Sequence, residues 1–142
     1  MLSYAVALFL SVCLSIATDW IALQFGIVMS DPPPRSASLA EFFGAVIFAP
    51  VVESLLLGLT IKGLSRYFNQ PCLIAGICAL IFGAAHGLFA LSWFFGTVCS
   101  FLAFSYAYLY WSGQSLRQAY VAACVPHMLI NLTAMILICL GN

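Results

Sequence analysis

The chain has 142 residues, 65% of them hydrophobic and 6% charged, and its four acidic and four basic side chains leave no net charge. A soluble domain devotes about a quarter of its residues to charge, so this composition excludes a water-soluble globular protein and points to lipid as the solvent. No basic cluster occurs, which removes the electrostatic footprint of nucleic-acid binding. A bilayer span takes roughly 20 apolar residues, so the length suffices for about five spans and leaves almost nothing for a separate soluble domain. Six cysteines (Cys13, Cys72, Cys78, Cys99, Cys124 and Cys139) are scattered without a C-x-x-C pair and read as small apolar packing residues.

The first apolar stretch runs from Leu2 to Met29, interrupted by Asp19 and Gln24. No Lys or Arg precedes Arg35, whereas a signal peptide opens on positive charge, so this stretch reads as a retained membrane helix. Asp31-Pro32-Pro33-Pro34-Arg35 then stops any helix. A second span is predicted from Leu39 to Ile61, opened by Ser38 and Glu41 at the spacing of a capping box. Pro71 suits the first turn of a third helix, to Phe89. A fourth covers Leu91 to Trp111, and Ser112-Gly113-Gln114-Ser115-Leu116-Arg117 separates it from a fifth, Gln118 to Leu140. The expected architecture is therefore an all-α polytopic membrane protein, a single transmembrane helical domain (residues 1–142) of about five helices.

With five spans, Lys62, Arg66 and Arg117 share one side with the N-terminus, and Arg35 lies opposite. The positive-inside rule then expects a cytoplasmic N-terminus. Nothing in the sequence specifies an oligomeric state.

Ionisable groups inside a span are costly, and they face a cavity or a partner. Glu53, His86, His127 and Asn131 fall in this class, with Asp19 a fifth candidate near an interface. Counted at about 1.5 Å per residue from the side bearing Lys62, Glu53 lies roughly 13 Å down its helix, His127 roughly 14 Å, Asn131 roughly 20 Å and His86 roughly 22 Å. Three helices thus deliver four polar groups to one layer about 10 Å thick. His127 and Asn131 are four apart and share a helix face, as do Phe82 and His86. Gly83 and Gly87 form a G-x-x-x-G pair that permits close helix approach. Pro50 and Pro126 are expected to kink their helices and to leave the carbonyls of Val46 and Ala122 without their amide partners.

These residues resemble the CAAX-protease and bacteriocin-processing family of glutamate-dependent intramembrane proteases, marked by E-E-x-x-x-R, F-x-x-x-H and H-x-x-x-N on successive helices. Phe82-Gly83-Ala84-Ala85-His86 fits the second motif and His127-Met128-Leu129-Ile130-Asn131 the third. The first keeps its leading Glu53, while Ser54 stands in place of the second glutamate and Gly58 in place of the arginine. The resemblance covers Ala49 to Asn131. It implies an intramembrane endopeptidase in which Glu53 and His86 activate a water and His127 and Asn131 donate hydrogen bonds to the oxyanion. It also implies no cofactor, a membrane-anchored protein or peptide as substrate and partner alongside the lipid bilayer, and a location in the bacterial inner membrane.

Three other readings remain open on the sequence. One Glu and two His can ligate zinc with an open fourth position, although H-E-x-x-H is absent. The Ser54 and Gly58 departures suit an inactive relative that acts as a membrane scaffold. A proton or ion relay through Asp19, Glu53 and the histidines is the third.

Overall fold

A computed structural model describes residues 2–26 and 38–141. Within them the chain forms five helices and no strand: α1 (Leu2–Gln24), α2 (Leu39–Leu64), α3 (Pro71–Gly87), α4 (Leu91–Ser112) and α5 (Leu116–Gly141). Helices α1, α2, α4 and α5 are long and apolar enough to cross a membrane. Helix α3 has 17 residues, about 25 Å of rise. The protein is an all-helical integral membrane protein.

Helix ends follow local chemistry. α1 stops at Gln24, earlier than the apolar run suggests, because Gly26 takes the left-handed conformation (φ 61°) that caps a helix. The expected breaker Asp31–Arg35 lies outside the described residues. At the start of α2 the Ser38 hydroxyl accepts from the Glu41 amide at 3.2 Å, one half of the expected capping box. Pro71 occupies the first turn of α3. The α3–α4 join is three residues, Leu88–Ala90, with the amides of Phe89 and Ala90 both donating to the His86 carbonyl.

The centre of the bundle is α4, which packs on α1, α3 and α5, while α2 lies mainly against α5. Side chains at the core are Leu57, Phe101, Phe104 and Met135. The outer surface presents Phe9, Trp20, Leu55, Leu59, Ile81, Leu137 and many other exposed apolar groups, as lipid requires. Apolar burial gives little association energy between helices in lipid, so close packing and interhelical hydrogen bonds carry the assembly. Ser11 of α1 donates to the Gly96 carbonyl at 2.9 Å and pairs with Ser100 at 2.8 Å. Tyr4 pairs with Thr133 of α5 at 2.9 Å.

The glycine pair of α3 works as its spacing implies. A Cβ at Gly83 would collide with the Val98 side chain and come within 3.3 Å of the Phe94 carbonyl, and one at Gly87 would lie 3.2 Å from the Phe94 Cβ. Bare backbone at Gly83 lets α3 seat on α4 and bring His86 inward, and at Gly87 it spares a tight approach to Phe94. Gly83→Val is expected to destabilise the bundle by about 1–3 kcal/mol through overpacking, and Val98→Ala to relieve much of that loss. Unfolding of detergent-solubilised single and double variants measures both.

Candidate active site

Glu53 lies on α2 in the first turn beyond Pro50, His86 on the last turn of α3, and His127 in the middle of α5 just after Pro126. The imidazoles converge on one carboxylate oxygen. Glu53 Oε2 is 3.7 Å from His86 Nε2 and 3.6 Å from His127 Nε2. Three helices therefore bring three of the four predicted residues together. Their side chains differ in access: Glu53 and His86 keep 24% and 29% exposure, whereas His127 keeps 6%.

The ring of His86 is oriented by its own helix. Its Nδ1 lies 2.8 Å from the Phe82 carbonyl, and a carbonyl only accepts, so Nδ1 carries the hydrogen. In the neutral ring Nε2 then turns a lone pair toward Glu53. The F-x-x-x-H spacing thus supplies a backbone acceptor one turn before the histidine. It also supplies a ring, since Phe82 stacks on Phe101 at 4.3 Å.

His127 is held by aromatic walls. Phe104 stacks on it at 5.0 Å with a 25° interplanar angle, and Phe101 meets it edge-on at 5.3 Å. Glu53 Oε2 and His127 Nδ1 are buried without a hydrogen-bond partner among the described residues. Native structures tolerate few such atoms, and each calls for a water, an ion or a chemical role. Phe101 and Phe104 belong to no motif, and nothing in the aromatic run of α4 singles them out.

Asn131 is engaged with the backbone of α2. Its Nδ2 donates to the Ala45 carbonyl at 2.7 Å. The sequence assigns the proline-orphaned carbonyl to Val46, four residues before Pro50. In the structure Gly44–Phe48 forms a π-turn, with the Ala49 amide donating five residues back to the Gly44 carbonyl. One step further in that register, the residue-50 nitrogen would serve Ala45, and proline has no hydrogen to give. Two more residues of the same α5 face reach α2 carbonyls: Tyr120 Oη donates to Val51 at 3.0 Å, and Cys124 Sγ to Pro50 at 3.7 Å.

The positions that depart from the first motif are filled from within. Ser54 is 1% exposed. A Cβ at Gly58 would lie 2.8 Å from Tyr108 Oη and 3.0 Å from its Cε2 and Cζ, so the tyrosine ring of α4 occupies the space a side chain would need. Asp19 lies in the C-terminal half of α1, exposed. Among the described residues no three His, Cys, Asp or Glu side chains form a grouping suited to a metal ion.

A half-buried carboxylate flanked by two imidazoles thus lies inside a helical bundle with membrane-spanning helices. Residues 35–133 match the family described as type II CAAX prenyl endopeptidase Rce1-like, which covers most of the chain and takes in all four candidate residues. The chain belongs to this family, a family of proteases. No curated protein and no solved structure matches it.

Because Tyr108 fills the space beside Gly58, Gly58→Ala is expected to cost about 1–3 kcal/mol, and much less in a Tyr108→Ala background. Equilibrium unfolding of the four variants in a double-mutant cycle reads the coupling directly.

Proposed function

We propose that the protein is an intramembrane endopeptidase that cleaves membrane-associated proteins or peptides with water activated by Glu53. The observation that carries this reading is the convergence of two Nε2 atoms on one Glu53 oxygen, with the His86 Nδ1 hydrogen committed to the Phe82 carbonyl. Two acceptors, the His86 lone pair and the carboxylate oxygen, face each other at 3.7 Å. A water that donates one hydrogen to each is oriented with its own lone pairs outward, toward a substrate carbonyl.

The chemistry then balances with the residues present. Glu53 takes one proton as the water oxygen bonds to the carbonyl carbon, and the carbonyl oxygen becomes an oxyanion. His127 Nε2, deep in its aromatic setting, is the donor placed to stabilise that charge, and a fixed donor in a dry site does so far better than one in water. Asn131 keeps a second amide hydrogen for the same purpose. Collapse of the tetrahedral intermediate breaks the C–N bond, and the leaving amine recovers the proton from Glu53. No step calls for a metal or other cofactor; the competing zinc reading predicts loss of activity on chelation.

The substrate class follows from depth. Glu53 lies nine residues before Lys62, about 13 Å along α2, so a scissile bond must enter the bilayer to reach it. A substrate already held by a lipid or by an apolar tail meets that condition, as the family name suggests.

Charge segregation supports an orientation. α2 and α5 run antiparallel, since Ala45 meets Asn131 and Val51 meets Tyr120. Lys62 and Arg66 therefore lie on the same side as Arg117, and Glu41 on the other. We place the basic side in the cytoplasm of a bacterial cell. A reporter active only outside the cytoplasm, fused after the C-terminus, is then expected to be active; an inactive fusion of a well-expressed protein reverses the orientation.

Cleavage of co-expressed membrane-anchored substrates is expected to fall by about 10² to 10⁴ in Glu53→Gln and to drop strongly in His127→Ala, at matched expression and unaffected by chelators in the wild type. Retained cleavage in Glu53→Gln would remove that residue from the mechanism. Chelator-sensitive cleavage with stoichiometric zinc in the purified protein would replace this reading by the metal one. Wild type inert toward a broad panel would favour a scaffold.

A further inference from the structure

We propose that Asn131 is a positioning residue that selects the π register of α2 beside the site, which rests on the reading of Glu53 as the base.

Pro50 forces a choice between two registers. With continuous i→i+4 pairing, the carbonyl left without its amide is Val46. With the i→i+5 step seen at Gly44 and Ala49, it is Ala45. Among the described residues a side-chain donor reaches one of these: Asn131 Nδ2 is 2.7 Å from the Ala45 oxygen. In lipid an unpaired backbone carbonyl is strongly disfavoured, so one side-chain amide tips the choice.

The choice has a geometric consequence. A π-turn takes up one extra residue, so the two halves of α2 are rotated by about 100° relative to a continuous α-helix of the same residues. Both halves pack on α5. The first is tied through Ala45 and the buried Val46; the second through Val51, Pro50 and the Glu53 carboxylate. In the continuous register the two sets of contacts cannot be kept together, and the wall preceding Glu53 turns a different face to the site.

The test separates register from catalysis. Spin labels at Phe43 and Leu137, both exposed, report the rotation of the first half of α2 against α5. Asn131→Ala, and the near-isosteric Asn131→Asp whose carboxylate cannot donate, are both expected to shift that distance by several ångströms and to lower cleavage. Deleting the exposed Phe48 removes the extra residue. The position four before Pro50 is then Ala45 itself, the continuous helix leaves Glu53 where it is, and there is no register left to select. In that background Asn131→Ala is expected to leave the label distance unchanged and to reduce cleavage by a much smaller factor than in the full-length chain.

An unchanged label distance in both Asn131 variants overturns the proposal. So does an equal fold-loss of cleavage with and without Phe48, which would make Asn131 act on substrate alone. If the wild type cleaves no substrate, the protease reading fails while the label distances still decide the register.

Discussion

A carboxylate inside a bilayer is the constraint around which the rest of this molecule is arranged. Glu53 cannot be left to lipid, because desolvating an unpartnered charge is prohibitively costly. It is met by two imidazoles, each from a different helix, and each helix reaches it by a separate device. Bare glycine backbone lets α3 press against α4, which carries His86 inward. Phe101, stacked on Phe82 and edge-on to Phe104, builds with them a wall that keeps His127 in place. The broken start of α2 is secured to α5 through carbonyls. Remove the carboxylate from the picture, and these features have no common purpose.

Part of this was legible in the sequence for definite reasons. Apolar runs of span length, separated by proline and polar residues, fixed the five helices to within a few residues. The i,i+4 spacings of Phe82 with His86 and His127 with Asn131 define shared faces whatever the tertiary structure, and counting residues from the basic loops placed the polar groups near one depth. What counting could not give is rotation. Depth places Asn131 in the same layer as the others, yet its amide goes to a backbone carbonyl on the far side of Pro50. The proline signalled a broken hydrogen bond correctly, but which carbonyl is orphaned depends on a π-turn that no residue in Gly44–Phe48 announces. Phe101, Phe104 and Tyr120 were likewise invisible, because an aromatic residue among many in a lipid-soluble helix carries no mark of what it packs on.

The departures from the first family motif look different once the packing is known. Ser54 and Gly58 are not gaps beside a retained glutamate. Ser54 is fully buried, and the volume beside Gly58 belongs to Tyr108 of α4. Loss of an acidic and a basic side chain is thus accompanied by an aromatic ring that closes the same region. At these two positions this chain has contact between α2 and α4 on the flank of the site in place of charge.

The seam between α2 and α5 is asymmetric in what it asks of heredity. Tyr120, Cys124 and Asn131 are specific side chains, but their partners at Val51, Pro50 and Ala45 are main-chain oxygens, which every residue type possesses. Drift is therefore nearly free at position 51 and, within limits of size, at position 45. The three α5 positions have no such freedom, and Pro50 alone on the α2 side is held by its missing hydrogen. Substitution on the α2 side of the seam is thus limited mainly by size and by Pro50, and on the α5 side by side-chain chemistry, so the support of the carboxylate rests on fewer residue identities than the number of bonds in it suggests.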